Sequence, residues 1–172
     1  AGRFNSKYSD TFKVPEPYIP KDISRIMSLQ NPENKMSKSD DNQNNIISLL
    51  DSPEVINNKI KRAVTDSNSE ILESGNSPSI MNLLSIYSGF SNKSINELEN
   101  EYSGMKYSKL KNDLSSLVIE KLSHIQYEYS RIINDKQYLL DIFKKSSEQA
   151  SSKAQKTISK VYRKVGFIPK IR

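Results

Sequence analysis

Apolar residues recur at intervals of three and four from Leu110 through Leu114, Leu117, Val118, Leu122, Ile125 and Tyr129 to Ile132. A second series runs through Leu139, Phe143, Ala150, Ala154, Ile158, Val161 and Val165. A period near 3.6 sustained over such lengths commits the C-terminal part of the chain to two long amphipathic helices, because an alternating strand pattern would put half of these side chains on the wrong face. The spacing predicts helices from Tyr107 to Ile133 and from Lys136 to Lys164. Asn134-Asp135 is the turn between them, and Gly166 lies just past the second end.

Helical signals extend upstream. Ser52-Pro53-Glu54 offers an N-cap, a proline at the first helical position and an early acid, which predicts a helix to about Val64. Residues 67–78 are polar and read as a loop. Helices are expected at 79–88 and at 94–102, where Ser94-Ile95-Asn96-Glu97 has the form of a capping box, with Gly89 and Gly104 as breaks. Asp41 and Asn42 are expected to cap a short helix through Leu50.

The N-terminal stretch is different. Residues 1–9 read as the end of a helix, and Pro15, Pro17 and Pro20 then force an extended path. Ile23–Leu29 is expected to be a short strand, with Ile26, Met27 and Leu29 buried in a parallel sheet. The polar run Lys35-Met36-Ser37-Lys38-Ser39-Asp40 would leave the C-terminal end of that strand, where open α/β sheets place their ligands.

Two lysines three residues apart on such a loop can follow negative charge from a triphosphate onto leaving pyrophosphate, because each is a compact point charge with rotatable donors. Ser37 and Ser39 add hydroxyls. A bare basic turn is also consistent with simple solvation, so the flanking residues must decide.

Residues 25–40, Arg-Ile-Met-Ser-Leu-Gln-Asn-Pro-Glu-Asn-Lys-Met-Ser-Lys-Ser-Asp, resemble the second signature of the class I aminoacyl-tRNA synthetases. The match is strongest to the bacterial tryptophanyl-tRNA synthetase family. It continues through Val14-Pro15-Glu16-Pro17-Tyr18-Ile19-Pro20, through residues 59–67, and through Asn82-Leu83-Leu84-Ser85-Ile86-Tyr87, so it covers nearly the whole chain. The resemblance implies an α/β region followed by a mainly α region: residues 1–45 as the C-terminal edge of a Rossmann-like nucleotide-binding sheet with its signature loop, and 46–172 as an α-helical tRNA-recognition region. It also implies ATP-dependent activation of L-tryptophan and transfer to tRNA(Trp), with Mg2+ held chiefly by phosphate oxygens and water, in a homodimer.

Carried over by position, Lys35 and Lys38 would be catalytic, stabilising charge on the departing pyrophosphate. Met36 would pack on the adenine side, Ser37 and Ser39 would lie beside the phosphates, and Ile26 would either touch the nucleotide base or serve as a plain core isoleucine. Many members have a further lysine where this chain has Asn34. Asp40 and Asp41 are read as helix caps rather than metal ligands. The family's His-x-Gly-His loop is not in this sequence, which contains one histidine, His124. The expectation is therefore the C-terminal half of a synthetase, inactive by itself.

The charge balance points the same way. The net charge is +6, and from Gln149 to Arg172 there are seven basic residues and no acidic one. Such a segment suits RNA phosphates. Lys59, Lys61 and Arg62 either meet RNA or form a solvated helix face, and Tyr102, Tyr107, Tyr127, Tyr129 and Tyr162 either pack or stack on unpaired bases. His124 is expected to pack at a helix boundary. There is no cysteine, which excludes disulfides and cysteine-ligated metal. With no secretory h-region and no membrane-spanning run, the chain reads as cytoplasmic. The competing expectation is a non-catalytic RNA-binding or assembly module derived from a synthetase tail.

Overall fold

A computed structural model of the 172-residue chain describes residues 1–19 and 25–168. It divides into two compact units, Ile19–Tyr129 and Ala1–Tyr18 with Ser130–Arg172. The helices are α1 (Gly2–Tyr8), α2 (Pro53–Arg62), α3 (Pro78–Ser91), α4 (Ile95–Tyr102), α5 (Tyr107–Asn134) and α6 (Lys136–Val165), with a 3-10 turn at Gln43–Asn45.

In the first unit one apolar core gathers Ile56 and Ile60 of α2, Ile80, Leu83 and Leu84 of α3, Leu98 of α4, and Leu110, Leu114 and Val118 of α5. The ends of these helices follow the sequence chemistry. Ser52 accepts from Val55 N with Pro53 at the first helical position, and the Ser94–Glu97 capping box is complete. Tyr102 and Tyr107 are buried packing residues: the phenol of Tyr102 donates to Asp113 at 2.8 Å and that of Tyr107 to Asp66 at 2.7 Å. Lys111 closes the far end of α2, donating to the carbonyls of Lys61 and Ala63 at 3.2 and 2.7 Å.

Over residues 25–29 the expected strand is not formed. Of Ile23–Leu29, Ile23 and Ser24 lie outside the described residues, and no strand occurs among the described ones. The reason is where the backbone bonds go: Ser28 N donates to Asn34 O, Leu29 N to Asn45 O, and Leu29 O accepts from Val64 N. Met27 bonds to the side chain of Asn82. Among the described residues these partners lie in loops, in the 3-10 turn or on a side chain, so the segment is extended and largely buried without belonging to a sheet. The edge of a Rossmann-like sheet is thus not seen among the described residues, which are mostly helical.

Other boundaries also move. In place of a helix from residue 42 to 50 there is a 3-10 turn capped by Asn42, after which Ile46 is extended. Gly89 lies inside α3, which ends at Asn92 in the left-handed region at φ 59°. The stripe of α5 is buried only as far as Leu122; Ile125, Tyr129 and His124 are exposed. Lys59, expected on a solvated or RNA-facing surface, is buried at 6% exposure.

In the second unit Phe4 packs on Tyr8 and edge-on against Phe12, while Asn5 bonds the backbone of Thr11 and Phe12. Asp135 caps α6 by accepting from Tyr138 N, and Gly166 at φ 79° ends it with Phe167 N donating to Tyr162 O. A side chain at a φ this positive would be strained, so a glycine suits the stop. No residue of α6 is fully buried, and on its apolar stripe Leu139, Val161 and Val165 are half-buried.

Candidate functional site

The signature loop is the return arm of a hairpin-like turn. Met27 and Lys35 face each other in an antiparallel bridge, flanked by Ser28 N to Asn34 O at 2.8 Å and Met36 N to Ile26 O at 3.0 Å. At the tip, the buried hydroxyl of Ser28 accepts from Gln30 N and Asn31 N, and Asn34 N donates to Asn31 O. Asn31-Pro32 makes the reversal that brings Lys35 back alongside Met27.

Beyond Met36 the backbone turns again. Asp40 N donates to Ser37 O at 3.2 Å, and the hydroxyls of Ser37 and Ser39 lie 3.0 Å apart. The Asp40 carboxylate accepts from Asn42 N at 2.9 Å and from the Asn45 side chain at 2.8 Å. This is a local turn motif; the helical cap itself is Asn42 rather than Asp41. Among the described residues no group of three or more His, Asp or Glu side chains converges as a metal site.

Ile26, Lys35, Met36 and Lys38 come together along one groove of about 680 Å³. Arg25 joins them, residues 46–50 form a facing wall, and Ile125 and Tyr129 of α5 complete it. Ser37 and Ser39 are exposed and lie outside this lining. Arg25 is not among the residues the sequence singles out, although it adjoins Ile26, and the aliphatic wall is formed by residues 46–50, where the sequence predicts helix and the structure has none.

The lining has three cations and no acid, and its other members are almost all apolar. Neither Lys35 nor Lys38 forms an ion pair among the described residues. Such a groove suits a ligand with a multiply charged anionic end and a flat apolar body, since guanidinium and ammonium groups would meet the anion and aliphatic side chains the body. Behind it a second cavity of about 300 Å³ shares Ile26, Met36, Ile47 and Leu49, and is closed by Phe90 and Ile86 of α3 with Val118 and Leu122 of α5.

A second cationic surface lies on α6, where Lys156, Lys160 and Arg163 border one shallow groove with Ser152 and Ser159. Tyr162 is half-buried and stacks edge-on against Phe167.

Residues 1–123 match the family described as tRNA synthetases class I (W and Y). The chain is 48% identical over 168 residues to a tryptophan-tRNA ligase of Clostridium acetobutylicum, covering 98% of this chain and 50% of that protein. To a tryptophan-tRNA ligase of Clostridium tetani it is 46% identical, with the same coverage. Among solved structures, that of tryptophanyl-tRNA synthetase from Mycoplasma pneumoniae superimposes with a TM-score of 0.84 at 30% identity, over 98% of this chain and 53% of that one. The chain spans about half the length of the relatives it matches.

Proposed function

The chain belongs to the class I tRNA synthetases of the W and Y family, and from that membership we propose that it supplies the signature loop and a tRNA-recognition surface of a tryptophan-tRNA ligase. The whole reaction would be ATP-dependent formation of tryptophanyl-adenylate from L-tryptophan, followed by transfer to tRNA(Trp). The observation that supports this most is the groove that unites Lys35 and Lys38 with Ile26 and Met36, three cations against an apolar wall.

In this proposal Ile26 and Met36 contact the adenine, while Lys35 and Lys38 meet the β- and γ-phosphates. As the carboxylate of tryptophan attacks the α-phosphorus, negative charge moves onto the pyrophosphate, and two ammonium groups on an adjustable loop stabilise it where it accumulates. Arg25 adds a third positive charge near the same path. Ser37 and Ser39 would donate to phosphate oxygens once their mutual contact is exchanged for the ligand. The carboxylate of Asp40 is bonded to Asn42 and Asn45, and Mg2+ is assigned to phosphate oxygens and water.

Residues 1–45 are assigned to the nucleotide-binding catalytic domain, and 46–172 to the helical tRNA-recognition region of a homodimeric enzyme. No His-x-Gly-His loop occurs in this sequence, and adenylation is assigned to a longer gene product rather than to the 172-residue chain alone. The cationic face of α6 supports an RNA partner. Tryptophan-stimulated exchange of pyrophosphate into ATP, measured with the complete natural gene product that contains this chain, tests the proposal. Stimulation by tryptophan and not by tyrosine is expected. Stimulation by tyrosine would move the assignment to the other branch of the family, and tRNA binding without exchange by either amino acid would favour the non-catalytic module.

A further inference from the structure

We propose that Asn82, in the core-facing surface of α3, is a positioning residue for the signature loop; this rests on the catalytic role proposed above for Lys35 and Lys38. Its side-chain oxygen accepts from Met27 N at 2.8 Å, and its side-chain nitrogen donates to Met27 O at 2.8 Å. The amide thereby holds both backbone groups of a single residue. Asn82 is 5% exposed and sits among Ile80, Leu83, Leu84 and Ile86, which are all buried, so the clamp projects from a fixed part of the core.

The position of Met27 gives the clamp its consequence. In an antiparallel pair, successive residues direct their backbone bonds to opposite sides. Residues 26 and 28 bond toward the returning arm, through Met36 N and Asn34 O, and Met27 faces Lys35 in the bridge. Met27 must therefore turn its own N–H and C=O the other way, where a neighbouring strand would normally receive them. Asn82 occupies that place, because a side-chain amide presents an acceptor oxygen and an N–H donor side by side. The order across the segment is Asn82, Met27, Lys35, and the helical core is connected to the first lysine of the loop through one residue's backbone.

Among the described residues, neither Ile26 nor Met36 has its backbone held by a side chain in this way. The loop's catalytic use needs the two ammonium groups at the right place when charge develops, and an arm that rocks at its base would lose that placement while leaving the groove formed. Asn82 is not in contact with the groove, so its action on chemistry passes through Met27 and Lys35.

The test is a double-mutant cycle in tryptophan-dependent pyrophosphate exchange, with the complete natural gene product. Asn82→Ala, Asn82→Asp, Lys35→Ala and Leu114→Ala are compared, together with the three double variants that combine Lys35→Ala with each of the others, and Leu114→Ala in the core serves as a stability control. Asn82→Asp keeps the acceptor for Met27 N–H and the side-chain volume, but sets an oxygen against Met27 C=O. Each Asn82 variant is expected to lower kcat by roughly 10²-fold, the scale of a loop displaced by about 1 Å, with the KM for tryptophan unchanged. In the Lys35→Ala background the same substitutions are expected to cost far less, because both act through one lysine. Leu114→Ala is expected to lower the melting temperature and to combine multiplicatively with Lys35→Ala.

Multiplicative behaviour of the Asn82 variants, like that of Leu114→Ala, would overturn the proposal. So would wild-type kcat in Asn82→Asp, or loss of folding in both Asn82 variants, which would make the clamp purely structural. Absence of exchange in the wild type, or wild-type exchange in Lys35→Ala, would instead remove the catalytic reading itself and this inference with it.

Discussion

Lys59 and Asp51 form an inward-facing ion pair, Nζ to Oδ2 at 2.6 Å, with side-chain exposures of 7% and 16%. The same carboxylate oxygen accepts from Ser48 N at 2.8 Å, and Gln126 of α5 donates to the carbonyls of Leu49 and Asp51, each at 2.9 Å. These bonds fix residues 48–51, and Ser48, Leu49 and Leu50 are part of the wall facing Lys35 and Lys38. A lysine that the sequence places on a helix surface therefore shapes the groove from behind.

Removing one partner of such a pair strands the other charge in a poorly hydrated place. Lys59→Met is expected to destabilise the protein by about 3 kcal/mol in urea unfolding. An unchanged midpoint would mean that Asp51 is adequately solvated without its partner.

Alkaline stability should depend on Tyr107. Burial, and then its hydrogen bond to the Asp66 carboxylate, push the phenol up to about 12. A group whose folded pKa is raised stabilises the fold below its unfolded pKa, and that stability is lost as pH rises through the folded value. The window therefore runs from roughly pH 10, the unfolded value, to about 12. Tyr102 shifts the same way, by burial and then by its bonds with Tyr87 and Asp113, so it adds to the same limb. Melting temperatures measured across this range are expected to fall less steeply in Tyr107→Phe than in the wild type. Parallel curves would show that the phenol does not titrate with unfolding.

Helix existence was legible because it rests on local rules. Pro53 after Ser52, the Ser94–Glu97 box and Gly166 each satisfy orphan backbone groups with residues a few positions away, and their helices lie where the sequence places them. The strand at Ile23–Leu29 was not legible. Three apolar residues in a short run state that a segment is buried, but only its bonding partners decide whether it joins a sheet, and among the described residues these are Asn34, Met36, Asn45, Val64 and Asn82. The spacing and flanking residues single out the loop lysines, which line one groove. The apolar wall opposite them was not, because Ile46 and Ile47 follow an Asn-rich turn whose polarity fits a helix start as well as a 3-10 turn.

RNA binding by α6 makes a quantitative prediction about salt. Lys156, Lys160 and Arg163 border one groove. If each meets a phosphate, replacing all three by alanine should reduce the slope of log affinity for tRNA against log salt by about 2. Filter binding at several salt concentrations measures it. An unchanged slope would place the RNA-contacting cations elsewhere.

The most direct measurement of the central claim is the steady-state rate of tryptophan-dependent pyrophosphate exchange in Lys35→Ala and Lys38→Ala, made in the complete natural gene product. Both are expected to lose roughly 10²–10³-fold in kcat, about 3–4 kcal/mol of transition-state stabilisation, with little change in tryptophan binding. Wild-type exchange in both variants would contradict the assignment of this loop to phosphate chemistry.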